Sequence, residues 1–296
     1  MCKDKIILMK VTKWQSVICF ADIKKSSFFD INQLIIYKMT LSEIQSKINS
    51  AKALDFGTIF NQSIELFKKS WLQGFLMQLF VIIIMLPIIL VMYVPFIMMI
   101  ISQSESGQVD PDAFSSFLAG FSVVYLIGFF IAIILLSSVS VALQAGLFRI
   151  FRELDAKREV KTADLFYFFK GKYFGKMILL MLVSTLIAIP AALLCYIPLI
   201  YAIVPLSFFT IFFAFNPDLS IGDIVSASFK LGTKKWLLSF GLLFVSGLLA
   251  YIIGLLMCGI GTLITMPFIY HPLYFIYKEV IGFDDADEIN EIGATN

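Results

Sequence analysis

Few side chains in this sequence are equipped for chemistry, and none has a suitable neighbour. His271, in the stretch YHPLY, is the only histidine among 296 residues. One imidazole cannot assemble a multi-histidine metal site, and neither HExxH nor a paired Glu-x-x-His occurs. His271 is therefore expected to be neutral and hydrogen-bonded, with no metal bound. A GxSxG elbow and a Walker loop are both absent, and GIG at 259–261 reads as a turn, not a phosphate cradle. The four cysteines, Cys2, Cys19, Cys195 and Cys258, form no CxxC. Cys2 and Cys19 are expected reduced on the cytoplasmic side, Cys195 and Cys258 near the outer face as buried apolar thiols, with a disulfide between them the alternative. Nothing here calls for a cofactor, and no set of catalytic groups supports an intramembrane enzyme.

What does recur is a lysine–tryptophan signal. KKSW occupies 68–71 and TKKW 233–236, each followed at once by a charge-free stretch. Laid without gaps at an offset of 165, residues 54–75 match 219–240 at nine positions, including Gly57/Gly222, Ser63/Ser228, Lys69/Lys234 and Trp71/Trp236. Asp55 and Ser220 also align, and both are good helix N-caps. The apolar set Phe56, Ile59, Phe60, Ile64 is answered by Ile221, Ile224, Val225, Phe229, the spacing of one helical face. Each copy thus reads as a capped amphipathic helix, a bend, and the start of a membrane span. Lys68, Lys69, Trp71 and Lys234, Lys235, Trp236 are then interfacial anchors, because an indole ring is apolar while its N–H needs a polar partner. A looser third version, TADLFYFFKGKYFGK at 162–176, places Lys172 and Tyr173 in the same role. Three units, each an interfacial helix and a two-span hairpin, would make an internal repeat.

The rest of the chain fits a membrane. It is 59% hydrophobic and 15% charged, against about 45–50% and about 25% in soluble domains. No Asp, Glu, Lys or Arg occurs in 70–104, 113–148, 177–217 or 236–277. About 20 residues cross the hydrocarbon core, so the first two stretches hold one span each and the last two hold a pair each. An all-α integral membrane protein of six transmembrane helices follows, with spans at about 72–100, 115–146, 177–196, 199–215, 236–257 and 262–280. Pro198 turns the third span into the fourth, and Gly259 and Gly261 turn the fifth into the sixth, itself interrupted by Pro267 and Pro272. Small residues recur every fourth position: Ser138, Ala142, Gly146; Ser184, Ala188, Ala192; Ser246, Ala250, Gly254. Such stripes let helix backbones approach closely in lipid. Residues 1–38 read as a poorly ordered or mis-assigned extension, 39–281 as the membrane domain, and 282–296 as an acidic disordered tail.

The stretch Asp164–Tyr277 resembles a bacterial family of polytopic membrane proteins that includes the membrane domain attached to some glycerophosphodiester phosphodiesterases. DLFYFF at 164–169, Pro198, SASFKLGTKKW at 226–236 and GIGTLITMPFIY at 259–270 with Tyr277 carry the likeness. The catalytic domain of those enzymes is absent, so the resemblance implies membrane architecture and no activity. A net charge of +2 without a basic cluster excludes a nucleic-acid partner. The expected function is a non-enzymatic envelope scaffold or accessory protein that meets membrane lipid headgroups or another envelope protein. The alternative is a carrier or exporter of an apolar or amphipathic solute.

Every lysine and arginine falls on one side of the six-span layout, while the 102–116 loop carries three acids and no base. The positive-inside rule then puts both termini in the cytoplasm of a cell with this protein in its inner membrane. A cysteine at Ser104 is expected to react with a membrane-impermeant thiol reagent on intact cells, and one at Lys157 to be protected. The opposite labelling inverts the topology.

Overall fold

In the computed structural model, residues 39–106, 123–194 and 196–283 are described, and all the regular structure among them is helical. The extension 1–38, most of the 102–116 loop, the start of the second span, Cys195 and the tail beyond 283 lie outside them. In chain order the elements are α1 (Leu41–Ser50), α2 (Phe56–Ser106), α3 (Val123–Asp155), a 3-10 turn (Thr162–Phe169), α4 (Gly171–Leu193), α5 (Ile197–Phe215), α6 (Ile221–Lys234), α7 (Trp236–Leu256), α8 (Thr262–Thr265), a second 3-10 turn (Met266–Ile269) and α9 (Tyr270–Val280). Five helical segments, Phe56–Val91, Ile127–Asp155, Gly171–Leu193, Ile197–Phe215 and Trp236–Leu256, are long and apolar enough to cross a membrane. Their outer faces are apolar: Leu186, Leu193, Ile197 and Leu256 are each more than 70% exposed.

Residues 262–280 are not one helix but α8, the 3-10 turn and α9. Pro267 opens the turn and Pro272 lies in the first turn of α9, where a missing N–H costs least. This broken segment runs back along α7 and also packs on α2. Thr265 Oγ1 donates to Ala250 O at 2.6 Å, and a Cβ on Gly74 would stand 2.8 Å from Pro267 Cβ. The reversal before it uses left-handed backbone at Cys258 (φ 58°) and Gly259 (φ 81°), and the one between α4 and α5 uses Tyr196 (φ 61°).

The two lysine–tryptophan copies share a buried face but not a backbone path. Ile59, Ser63, Leu66, Ser70, Gly74 and Met77 are buried, and so are Ile224, Ser228, Leu231, Lys235, Ser239 and Leu242, position for position at the offset of 165. Both helices are capped as expected: Thr58 N–H donates to Asp55 Oδ2 at 2.7 Å, and Asp223 N–H to Ser220 Oγ at 3.1 Å. Yet α2 continues straight through Lys68–Trp71, whereas the second copy bends at Lys235 (φ −110°, ψ 23°). The bend expected in both copies is present in one.

The small-residue stripes sit at close approaches. Ser138, Ala142 and Gly146 are buried, and any Cβ on Gly146 would collide with the backbone of Leu165. Ser246, Ala250 and Gly254 are buried against the segment that begins at Thr262, and Ser184, Ala188 and Ala192 are half-buried. A Cβ on Gly254 would lie 2.8 Å from Thr262 Cα, while Leu255 beside it is 51% exposed. Gly254→Leu is therefore expected to cost about 1–3 kcal/mol or more through overpacking. Leu255→Ala should leave the melting temperature of the detergent-purified protein nearly unchanged. Equal melting of the two variants would place the packing seam elsewhere.

Candidate functional site

The lysines expected at the membrane surface are spent mostly inside the chain. Lys234 Nζ donates to Ile48 O and Asn49 O, each at 2.6 Å, closing the last turn of α1. Lys235 reaches Lys52 O just beyond, and its burial, then the charge of Lys234, holds its ammonium below the usual lysine range. Lys172 faces Asp218 at 3.5 Å, and Tyr173 packs among Tyr167, Phe168 and Phe213. Lys68 pairs with Glu65 at 2.6 Å on an exposed face, and Trp71 is 45% exposed. Lys69 makes no hydrogen bond or salt bridge among the described residues, though its charge acts on Glu65.

Trp236 does something the sequence reading missed. Its Nε1–H donates to Tyr201 O at 3.1 Å. Within α5 that carbonyl would accept from the residue four positions on, but Pro205 has no N–H. The α6 helix folds back antiparallel along α5 and makes this rescue possible. A Cβ on Gly232 would stand 2.7 Å from Pro205 Cα, and the Thr233 and Tyr201 hydroxyls meet.

His271 is buried, as expected of a lone neutral histidine. Its Nε2 lies 2.7 Å from Ser70 Oγ, and its Nδ1 lies 3.2 Å from Pro267 O and 3.3 Å from Phe268 O. With one N–H on a neutral ring, Nδ1–H donates to these carbonyls and Nε2 accepts from the serine hydroxyl. The ring also rests 4.1 Å from that of Phe151, centroid to centroid. Serine and histidine at this distance have the spacing of a nucleophile and its base. Both are only 1% exposed, however, so no substrate reaches them. They join α2 to α9. Among the described residues no cluster of His, Cys, Asp and Glu could hold a metal.

Open space lies elsewhere, in a groove of about 340 Å³ between α3, α4, α5, α7 and the segment leading into α9. Its wall is apolar apart from Gln144, Ser184, Ser207, Thr210 and Tyr270, and no charged residue lines it. Ser207 donates back to Ile203 O at 2.7 Å, an internal helix bond. The side-chain polar groups of Gln144, Ser184, Thr210 and Tyr270 have no hydrogen-bond partner among the described residues. Four unused polar groups on four elements, facing one uncharged cavity, can hold a neutral polar group on an apolar body. Of the residues singled out in the sequence, only Ser184 belongs to this groove. A search for uncharged polar residues within the charge-free stretches would have found Gln144, Thr210 and Tyr270; the search for ionisable groups passed over them.

No family model, curated protein or solved structure matches this chain.

Removing the Trp236 donor should matter only while Pro205 leaves Tyr201 O without its own. Trp236→Phe is expected to lower stability by about 1 kcal/mol. In a Pro205→Ala background the helix supplies the N–H, and the loss should shrink to a few tenths of a kcal/mol. A thermal double-mutant cycle reads the difference, and additive losses would remove this hydrogen bond from the account of the α5–α6 junction.

Proposed function

We propose that this chain is a multi-pass protein of the inner membrane, with both termini cytoplasmic, that carries an apolar or amphipathic solute in the α3–α4–α5–α9 groove. The observation that bears this reading is the uncharged cavity of about 340 Å³ with Gln144, Thr210 and Tyr270 left without partners. A volume at the lower end of small-molecule sites suits part of a lipid-like molecule, not a large polar substrate. Absence of charge in the wall favours a hydroxyl, ester or amide at the polar end of the ligand, because a charge would be desolvated there without a counter-ion. The spending of Lys234 and Lys235 on carbonyls within the chain weighs against their service as headgroup anchors, and so against the pure scaffold reading.

Two finer features of architecture belong to the same proposal. Residues 262–280 reach about 28 Å at helical rise, long enough for a sixth, broken span. The shared buried face at the offset of 165 supports an origin of the two copies by duplication, with the bend at Lys235 a later difference. The likeness of Asp164–Tyr277 to the membrane domain of phosphodiesterase relatives supports the membrane architecture and carries no activity.

The test is the set of lipids that co-purify with the protein. Gln144→Leu, Thr210→Val and Tyr270→Phe together keep the volume of the wall and remove three of its polar groups. The triple variant is expected to retain about tenfold less of whatever hydroxyl- or ester-bearing neutral amphiphile accompanies the wild type, as mass spectrometry of extracted lipid reads it. Identical lipid profiles at equal folded protein would end the groove reading.

A further inference from the structure

A second cavity, of about 300 Å³, lies where α2, the end of α3 and α9 meet. Asn61, Gln62, Glu65 and Lys69 of α2 line it, opposite Asp155 and Lys278. Asn61, Glu65 and Lys69 are spaced by four, so they form one stripe along α2. Lys69 is the last charge before the charge-free stretch 70–104, and Lys278 the first after 236–277. The cleft thus sits where one charge-free run begins and another ends, the level at which lipid headgroups meet a membrane protein.

Its charges are unequally committed. Asp155 Oδ2 accepts from Lys278 Nζ at 2.6 Å and from the Tyr274 hydroxyl at 2.9 Å, which fixes that pair as structure. Glu65 is hydrogen-bonded by Lys68, with the charge of Lys69 also acting on it, and Glu65 and Lys68 are each more than 60% exposed, so this contact exchanges readily. Lys69 makes no hydrogen bond or salt bridge among the described residues, and Gln62 Oε1 is buried without a hydrogen bond. The unspent set is one ammonium, one buried neutral acceptor and one loosely held carboxylate, side by side. A simple phosphate would meet two carboxylates, and a simple amine two ammonium groups. A group that carries both charges close together meets neither penalty.

We propose that this cleft binds a phosphate ester bearing a primary ammonium, the phosphoethanolamine group, with the phosphate on Lys69 and the ammonium donating to Gln62 Oε1 and Glu65. A quaternary ammonium has no N–H to donate, so a phosphocholine group leaves Gln62 unsatisfied. A phosphoglycerol group brings no cation to Glu65. None of the groove's side chains takes part, so this site stands or falls independently of the solute reading.

Purified full-length protein, exchanged into detergent with equal amounts of short-chain phosphatidylethanolamine, phosphatidylcholine and phosphatidylglycerol, is weighed with its adducts by native mass spectrometry. The ethanolamine lipid is expected to be retained about tenfold over either competitor. Lys69→Gln, at an exposed position, should abolish that preference, and so should Gln62→Leu, which removes the acceptor without opening a void. Lys68→Gln should keep it, since Lys68 does not line the cleft. Free O-phosphoethanolamine that displaces the lipid assigns recognition to the headgroup alone; no displacement, with the preference intact, assigns it to the membrane lipid. Equal retention of the three lipids overturns the proposal, as does a preference that survives in both Lys69→Gln and Gln62→Leu.

Discussion

A helix carbonyl without an intrahelical partner needs a donor from elsewhere, and this constraint organises the charged end of the bundle. The last carbonyls of any helix lack an internal partner. Here Lys234 meets those of Ile48 and Asn49, Lys47 meets Ile281 O at the end of α9, and Lys176 meets Pro217 O and Leu219 O beyond α5. A lysine suits this task because three donors ride on a flexible apolar stem, and its charge also complements the negative end of the helix dipole. Trp236 extends the rule to a carbonyl orphaned by proline in the first turns of α5. The helices are thus tied end to side by side chains reaching across the chain, and their apolar faces are left to lipid.

The same constraint explains what was legible in the sequence. Local rules read well: the caps at Asp55 and Ser220, the glycine turn at 259, and the close approach at Gly254 follow from residues a few positions apart. Lone, buried His271 was legible because an unpartnered imidazole in an apolar stretch has few other fates. Pairings across the chain were not. Lys234 and Trp236 obey the rule for interfacial residues as well as any anchor does. Their partners, Ile48 and Tyr201, lie 186 and 35 residues away and become visible only once α6 folds back on α5. The straight course of α2 was hidden for a related reason. Lysine and tryptophan mark a boundary of polarity, and a helix can cross that boundary without bending.

The groove was the hardest feature to foresee, because its uncharged polar residues are scattered over four elements. Gln144, Thr210 and Tyr270 look ordinary on their own helices. Only the packing of α3 against α5 and the segment leading into α9 turns them toward one space. The close approaches at Gly146 and Gly254, by contrast, lie where small residues recur, since a missing side chain has one main use between helices in lipid.

Polarity is divided between the two cavities in a way that desolvation requires. Charge is confined to the cleft at the ends of the helices, where Asp155 and Lys278 neutralise each other and water reaches Glu65 and Lys68. The groove holds only neutral groups, which can lie among apolar side chains at far lower cost than ions. No side chain in its wall can change charge near neutral pH, so protonation cannot switch its affinity for a ligand. A solute held there as proposed would have to be released by a change of shape. Both sides of the groove include helices interrupted by proline: α5 at Pro205, and the segment into α9 at Pro267 and Pro272. Each proline removes a ladder hydrogen bond and lowers the cost of bending at that point. On the α5 side the missing bond is replaced by Trp236, whose indole belongs to another helix. A ligand that moves α5 against α7 would therefore strain that one hydrogen bond first, which places the mechanical coupling of the groove at Tyr201–Trp236.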